Sequence, residues 1–360
     1  MTVFIIVAAV VLVVVLQMIL QRMQAGKLVC DVYPDTDQAE PDEKFNIVVR
    51  IENTSWMIFP FVRFGVTIPN ELELHSQIRT VSRPPFAIEV TGSAMLLPHR
   101  KFERKIEVSA PVRGSYRIDS VYVETGDFVG FEEYRQEYVK FNTVAVYPRP
   151  LENVEVRETL GSLIGRMSVR RFIHEDPILV AGFREYTGHE PMRAISWLQS
   201  ARAGQLIVRK YDFTSDPFVS VLLDTEDAGD LLETSFSLAR SVCDYLEENR
   251  IEYDFFMNCA LSGANCRQHY FARGLGHLHH RGILKQLAMA VSTCDFSGTE
   301  LISKAMDSVR TAPGLIIISA KRTGNKDRLI ASLAAEPSIM VREMYAEDHL
   351  QGSSAEREAV

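Results

Sequence analysis

At 360 residues, 46% of them apolar and 24% charged, the chain is longer than one ordinary domain of roughly 100–200 residues and too rich in core-forming side chains to be disordered throughout. A formal net charge of -8 excludes a generic polyanion binder, so neither DNA nor RNA is expected as a partner. The cysteines (Cys30, Cys243, Cys259, Cys266 and Cys294) are odd in number and show no Cys-x-x-Cys spacing. That fits reduced, mostly packed thiols in a reducing compartment better than a disulfide framework or a zinc knuckle.

The first predicted element is an apolar helix within residues 1–22, where Val3–Leu20 is interrupted only by the polar Gln17. At about 1.5 Å per residue such a run approaches the roughly 30 Å hydrocarbon core of a bilayer. Met1-Thr2 carries no basic side chain, and the run continues into Gln21-Arg22-Met23-Gln24, so it reads as a retained transmembrane anchor, not a secretory signal. Arg22 and Lys27 follow it at once. By the positive-inside rule the expectation is a single-pass protein of the cell membrane with the bulk of its chain in the cytoplasm.

Residues 28–150 show short alternating runs, such as Phe45–Ile51 and Tyr116–Val123, separated by turn-rich pieces that include Pro41-Asp42 and Glu52-Asn53-Thr54-Ser55. This pattern predicts a β-sandwich, with the role of a spacer. Residues 151–217 read as a connector, basic at Arg157, Arg166, Arg170 and Arg171, that runs through Gly182–Arg202 to a strand at Gly204–Tyr211.

From 218 to 350 the pattern alternates. Strand Phe218–Leu223 precedes helix Leu231–Asn249; strand Tyr253–Ala260, helices Ile283–Val291 and Leu301–Arg310, and strand Gly314–Ser319 follow, then a helix near Asp327–Ala334 and a strand near Ser338–Met344. Interleaved strands and helices predict a mostly parallel, doubly wound sheet. Residues 351–360 read as a flexible tail. The expected fold class is therefore α+β multidomain: a transmembrane helix, a β-sandwich, then an α/β doubly wound domain.

Two places could carry function. Asp224 ends the Phe218–Leu223 strand, at the edge of an open α/β sheet where ligands bind. The second place is Gly182–Arg202, where Arg184, Tyr186, Arg193, Trp197 and Arg202, continued by Arg209, Lys210 and Tyr211, crowd cationic and aromatic residues together. Such a set suits an acidic protein surface. It equally suits a packing role in which the arginines pair with carboxylates such as Glu185 and Asp212 and Trp197 fills a joint between domains.

His277, His279 and His280 read as a solvated loop, and Cys266 with His269 lacks the oriented base and oxyanion hole of a nucleophile. No phosphate-loop, Gly-x-Ser-x-Gly or His-Glu-x-x-His spacing occurs, so no catalytic residue is assigned and the chain is not expected to be an enzyme.

Tyr186, Gly188, Arg193, Ile195, Trp197, Ala201 and Arg202, with Arg113-Gly114-Ser115-Tyr116 and Gly126-Asp127-Phe128-Val129-Gly130-Phe131 upstream, resemble the core motifs of the family catalogued as domain of unknown function fifty-eight. His189 and Ser196 stand where that family usually has acidic residues. The resemblance implies a C-terminal half similar to von Willebrand factor A domains. It also implies an accessory or adaptor role beside a MoxR-type AAA+ ATPase in the assembly or maturation of client proteins.

Domains of that kind hold Mg²⁺ through an Asp-x-Ser-x-Ser loop helped by a later Thr and Asp, because a hard cation needs converging oxygens at about 2.1 Å. Carried over, Asp224 and Thr299 keep two of those positions. Glu226 and Ala228 replace the serines, and Ala320 stands where the second Asp would fall. The implied site is degenerate and no cofactor is expected; the alternative is a divalent-metal-dependent ligand binder in which Glu226 or Asp227 supplies a further oxygen.

Overall fold

A computed structural model describes residues 27–75, 80–82, 87–126, 133–151, 153–173, 180–188, 190–211, 218–262, 268–310, 312–322, 324–336 and 339–349. The chain divides into two compact units, Met1–Arg149 and Pro150–Val360. Of the expected features, Val3–Leu20, Asp127–Phe131, His189, Asp212, Cys266 and the tail 351–360 lie outside the described residues.

The first unit is built of strands β1 (Leu28–Pro34), β2 (Gln38–Ala39), β3 (Phe45–Asn53), β4 (Phe59–Pro69), β5 (Glu73–Leu74), β6 (Thr80–Ser82), β7 (Ala87–Leu96), β8 (Lys101–Ser109), β9 (Gly114–Gly126) and β10 (Glu133–Val146). They form a sheet of order β1-β3-β8-β5 and another of order β2-β10-β9-β4-β7-β6. Strand period sets the layers. In β3, Phe45, Ile47, Val49 and Ile51 are buried while Asn46, Arg50 and Glu52 are only partly so. The buried set joins Val62, Phe64, Val66 and Val123 of the other sheet in one apolar core. On the outer side Arg50 pairs across the register with Glu103.

The second unit opens with α1 (Val154–Ile173), β11 (Val180–Glu185), α2 (Trp197–Ala203) and β12 (Ile207–Tyr211). In α1, Val156, Leu160, Leu163 and Met167 recur at helical spacing and are buried. That stripe seats the helix in the second unit, where Arg342 donates to the Thr159 hydroxyl and the Leu151 N–H to Ser241 Oγ (2.7 Å).

There follow β13 (Phe218–Asp224), α3 (Leu232–Glu248), β14 (Glu252–Met257), β15 (Cys259–Leu261), β16 (Tyr270–Gly274), α4 (His277–Met289), β17 (Ala290–Cys294), α5 (Gly298–Val309), β18 (Gly314–Ser319), α6 (Gly324–Ala334) and β19 (Met340–Tyr345). The main sheet runs β16-β14-β13-β18-β19. Every residue of β13 and β18 is buried, as suits strands covered on both faces. Leu301, Ile302, Ala305 and Val309 of α5 pack with Leu222, Leu315 and Ile317 on one of those faces.

These observations correct the expected fold class. The described residues form five sheets with some helices among them, and the doubly wound, von Willebrand factor A-like pattern is not evident in them. The edge strand β16 pairs antiparallel with β14, and β11-β12 and β15-β17 are separate two-stranded ribbons. The run read as one strand, Tyr253–Ala260, breaks at Asn258, whose amide turns inward to bond Asp224 and Thr225 at the end of β13. Strand β16 escaped notice because its residues are half exposed and carry no apolar period.

Among the described residues no helix is long and apolar enough to cross a membrane. The described structure thus supplies no transmembrane helix, which corrects the expectation of a single-pass membrane protein with its bulk in the cytoplasm; the run Val3–Leu20 on which that expectation stood lies outside the described residues. The longest helix among the described residues, α1, carries Glu155, Arg157, Glu158 and Arg166, and such charges exclude it from a hydrocarbon layer.

Candidate functional site

At the carboxyl end of β13, Asp224 is 3% exposed. Its Oδ1 accepts from Asn258 Nδ2 (2.7 Å) and from the Glu226 N–H (3.0 Å). Asn258 is fully buried just past β14, and its own Oδ1 accepts from the Thr225 N–H (2.9 Å) and the Thr225 hydroxyl (3.1 Å). One side-chain amide thus holds two loops together with both of its ends, as a buried amide must if its polar atoms are to be satisfied.

Glu226 reaches the start of α5, where its Oε2 accepts the Gly298 N–H (2.8 Å). A carboxylate there faces the positive end of the helix. Ser297 caps the same helix by accepting the Glu300 N–H (3.3 Å), and its hydroxyl lies 2.9 Å from Thr299 Oγ1. The Ser-x-x-Glu spacing at 297–300 encodes that cap.

The structure therefore ties the Asp224 loop to the helix turn that bears Thr299. The donor set does not fit Mg²⁺. Glu226 is engaged with Gly298, Asp224 Oδ1 already takes two donors, and Ala228 and Ala320 present methyl groups where further oxygens would be needed. Among the described residues no group of three or more His, Cys, Asp or Glu side chains is placed to hold a metal ion.

The Gly182–Arg202 segment folds as a small unit of its own kind. Strands β11 and β12 pair antiparallel, with Arg184 opposite Val208 and Glu185 opposite Ile207. The intervening chain returns along β12, where the Ser196 N–H donates to the Ile207 carbonyl (2.8 Å). Ser200 Oγ donates to the Ser196 carbonyl (2.9 Å) and accepts from the Ile207 N–H (2.9 Å), joining α2 to the ribbon. Gly204, at φ 70°, ends α2 with its N–H on the Ser200 carbonyl (3.0 Å). That left-handed turn favours glycine.

Arg184 pairs with Glu190, which also accepts from the Thr187 hydroxyl (2.7 Å) and the Thr187 N–H (3.1 Å). The Thr187 hydrogen bonds, followed by Arg184, hold the Glu190 carboxyl down at about 2. Arg184 thus braces the ribbon and Tyr186 is half-buried, whereas Arg193 and Arg202 are exposed. Trp197 is 61% exposed, and Met192, Leu198, Phe183 and Leu206 are exposed with it. So all five residues singled out from sequence fall on one ribbon-and-helix element, with Trp197 outside any core.

The three histidines stand at the start of α4, not in a loop. His279 Nε2 bonds the Tyr253 carbonyl (3.1 Å), and His280 Nε2 lies 2.9 Å from Asp244 Oδ1. Burial pushes both imidazoles below the ordinary range, against the pull of Asp244 and Glu247.

Sequence reasoning missed a cavity of about 310 Å³ between β14, β16 and α5, lined by Phe256, His269, Tyr270, Phe296, Lys304 and Ser308 among others. Tyr270 stacks on Phe256 with centroids 4.4 Å apart, and the Lys304 ammonium lies 3.6 Å from the Phe296 centroid. Beside Ser308, Asp254 is fully buried; it accepts from the Ser308 hydroxyl, and burial raises its carboxyl pKa. A polar residue inside the apolar run Tyr253–Met257 was the available signal.

No family model matches the chain. It is similar to the uncharacterized protein YeaD of Bacillus subtilis, 24% identical over 194 residues that cover 53% of this chain and 46% of that protein. The chain therefore spans about half the length of that relative. Solved structures with some likeness include a non-cellulosomal cohesin from Archaeoglobus fulgidus, at 14% identity over 36% of this chain and 96% of that one, TM-score 0.23. The bacterial hydrophobin BslA, at 14% identity, covers 35% of this chain and 98% of its own, TM-score 0.22. The sporulation control protein Spo0M of Bacillus subtilis, at 14% identity, covers 45% and 58%, TM-score 0.21. Likeness at these scores carries no argument about fold or function.

Proposed function

We propose that this is a non-enzymatic interaction protein that grips other proteins through the β11, α2 and β12 surface. In this reading it serves as an adaptor beside a MoxR-type AAA+ ATPase in the assembly or maturation of client proteins. The observation that carries it is the exposure of Trp197, Leu198 and Met192 on an element whose backbone is otherwise tightly bonded. Large apolar side chains held out on a rigid support lose little conformational freedom on docking, and a buried Trp with a flanking Arg is a common centre of binding energy. Arg193 and Arg202 add positive charge that favours an acidic partner face. The choice of an ATPase as partner rests on the resemblance of the Tyr186–Arg202 motif alone.

The test is affinity capture with the full chain, comparing it with a variant carrying Arg193→Ala and Trp197→Ala. An ATPase retained by the first and lost by the second, with unchanged circular dichroism and melting, supports the reading. Identical partner sets without an ATPase overturn it.

A further inference from the structure

We propose that Cys259 and Cys294 form a peroxide-sensitive dithiol, a modification site in which Cys294 is oxidised first and Cys259 resolves it to a disulfide across the β15-β17 ribbon. The two cysteines are register partners in that antiparallel pair. The neighbouring Asp295 N–H donates to the Asn258 carbonyl (2.9 Å), which makes 258 and 295 the hydrogen-bonded pair and 259 and 294 the adjacent non-bonded one. Residues opposed in that way have Cα atoms about 4.5 Å apart and side chains on the same side of the ribbon. A disulfide accepts Cα separations of about 4.4–6.8 Å, so the bridge can close without moving the strands.

The two sulfurs differ in the way the chemistry requires. Cys294 is exposed, and its thiol donates to the Thr225 hydroxyl oxygen 3.2 Å away, whose own proton goes to Asn258 Oδ1. Cys259 is fully buried, out of reach of solvent peroxide but across the ribbon from its partner.

In the first step the Cys294 thiolate attacks one peroxide oxygen. The O–O bond breaks, hydroxide leaves and takes up a proton as water, and the sulfur becomes a sulfenic acid. In the second, the Cys259 thiolate attacks that sulfur, the S–S bond forms, the S–O bond breaks, and a second water leaves. Two thiols have then lost two electrons and two protons to hydrogen peroxide, which is reduced to two waters. The bridge draws the Cys294 sulfur from Thr225, whose hydroxyl also bonds the Asn258 amide that holds Asp224.

The experiment treats the full chain with hydrogen peroxide, alkylates the remaining thiols, digests, and reads the cysteine peptides by mass spectrometry. The expected result is a peptide pair joined through Cys259 and Cys294 in most molecules, returned to separate alkylated peptides by dithiothreitol. Cys259→Ser, with no resolving thiol, should raise labelling of Cys294 by a sulfenic-acid-specific dione several-fold. Cys294→Ser should show neither the joined pair nor labelling of Cys259. Recovery of both wild-type thiols alkylated after peroxide overturns the proposal, as does a bridge from Cys294 to any other cysteine.

Discussion

The Asp224 crevice and the Trp197 ribbon both belong to the second unit, yet they treat their polar and apolar groups in opposite ways. In the crevice, polar atoms of Asp224, Thr225, Glu226 and Asn258 are paired with one another or with backbone, and Ala228 and Ala320 are buried in an apolar cluster with Leu231 and Ala346. In the ribbon the polar atoms brace the backbone while Trp197, Leu198 and Met192 face solvent. An inward-satisfied network is an architectural device, because its members have little left to offer a ligand. An exposed aromatic and aliphatic set on a braced support has its binding capacity unspent.

The largest effect is expected from cutting the crevice network. Asn258→Ala removes an amide that makes three hydrogen bonds in a fully buried position and leaves Asp224 and Thr225 short of partners. Loss of such a network destabilises by about 2–4 kcal/mol. Denaturant unfolding of the second unit measures it. A change below about 0.5 kcal/mol would mean that the crevice is not an architectural element and would reopen a ligand role for Asp224.

The ribbon should show the reverse signature. Trp197→Ala with Arg193→Ala is expected to weaken capture of a protein partner about tenfold or more, the range of a hot-spot residue. Folding stability should stay within about 0.5 kcal/mol, because neither side chain is buried. If titration calorimetry and melting moved together instead, Trp197 would be a packing residue and the contrast with the crevice would vanish.

Backbone conformation sharpens the same contrast at smaller scale. Gly204 ends α2 at φ 70° with open space around the position of a Cβ, so Gly204→Ala meets only the left-handed penalty. The expected cost is about 1 kcal/mol, read as faster amide exchange at Ser200 and Gly204 and looser partner binding. In the crevice loop Asp227 sits at φ 59°, and Asp227→Gly relieves a conformation that aspartate tolerates better than most. A gain of a few tenths of a kcal/mol in unfolding, without effect on partner capture, is expected there.

How far the sequence reveals all this depends on the range of the contacts. Phe218–Leu223, apolar but for Ser220, and Gly314–Ile318 are short apolar runs, and the strands they form are the two of the sheet buried at every residue. The Ser297 cap, complete within four residues, was equally open to reading. By contrast, Glu226 meets Gly298 and Asn258 meets Asp224 only once the sheet has brought distant loops to one edge, and no local period records such pairings. The ribbon was legible in part: its cationic and aromatic residues stood out, but that Arg184 is spent on Glu190 and that Trp197 points outward depend on a turn whose shape the composition does not dictate. In α1 the apolar stripe was hidden by charge, and the segment passed for a connector.

Acid tests the ribbon against the packing of α4 on the sheet. His279 and His280 press α4 against β14 and α3 and have imidazoles held below the ordinary 6.5 by burial, with Asp244, Glu247, Asp254 and Arg240 around them. A folded-state value below the unfolded one means that the native chain binds fewer protons in that window. Stability from this pair is therefore full above about 6.5 and falls as the pH drops below it. Asp254 acts in the opposite sense: its raised carboxyl pKa gives a contribution that is present below the ordinary 3.8 and is lost as the pH rises through the folded value. Glu190 in the ribbon is held down at about 2, so its bonds to Thr187 and Arg184 persist until the pH falls towards that value. Melting followed from pH 8 to pH 5 should show the decline, and His279→Asn with His280→Asn should flatten it. Carboxyl titration by nuclear magnetic resonance should place Glu190 far below an ordinary glutamate, and a midpoint near 4.5 would show that the ribbon is not braced in solution as its geometry requires.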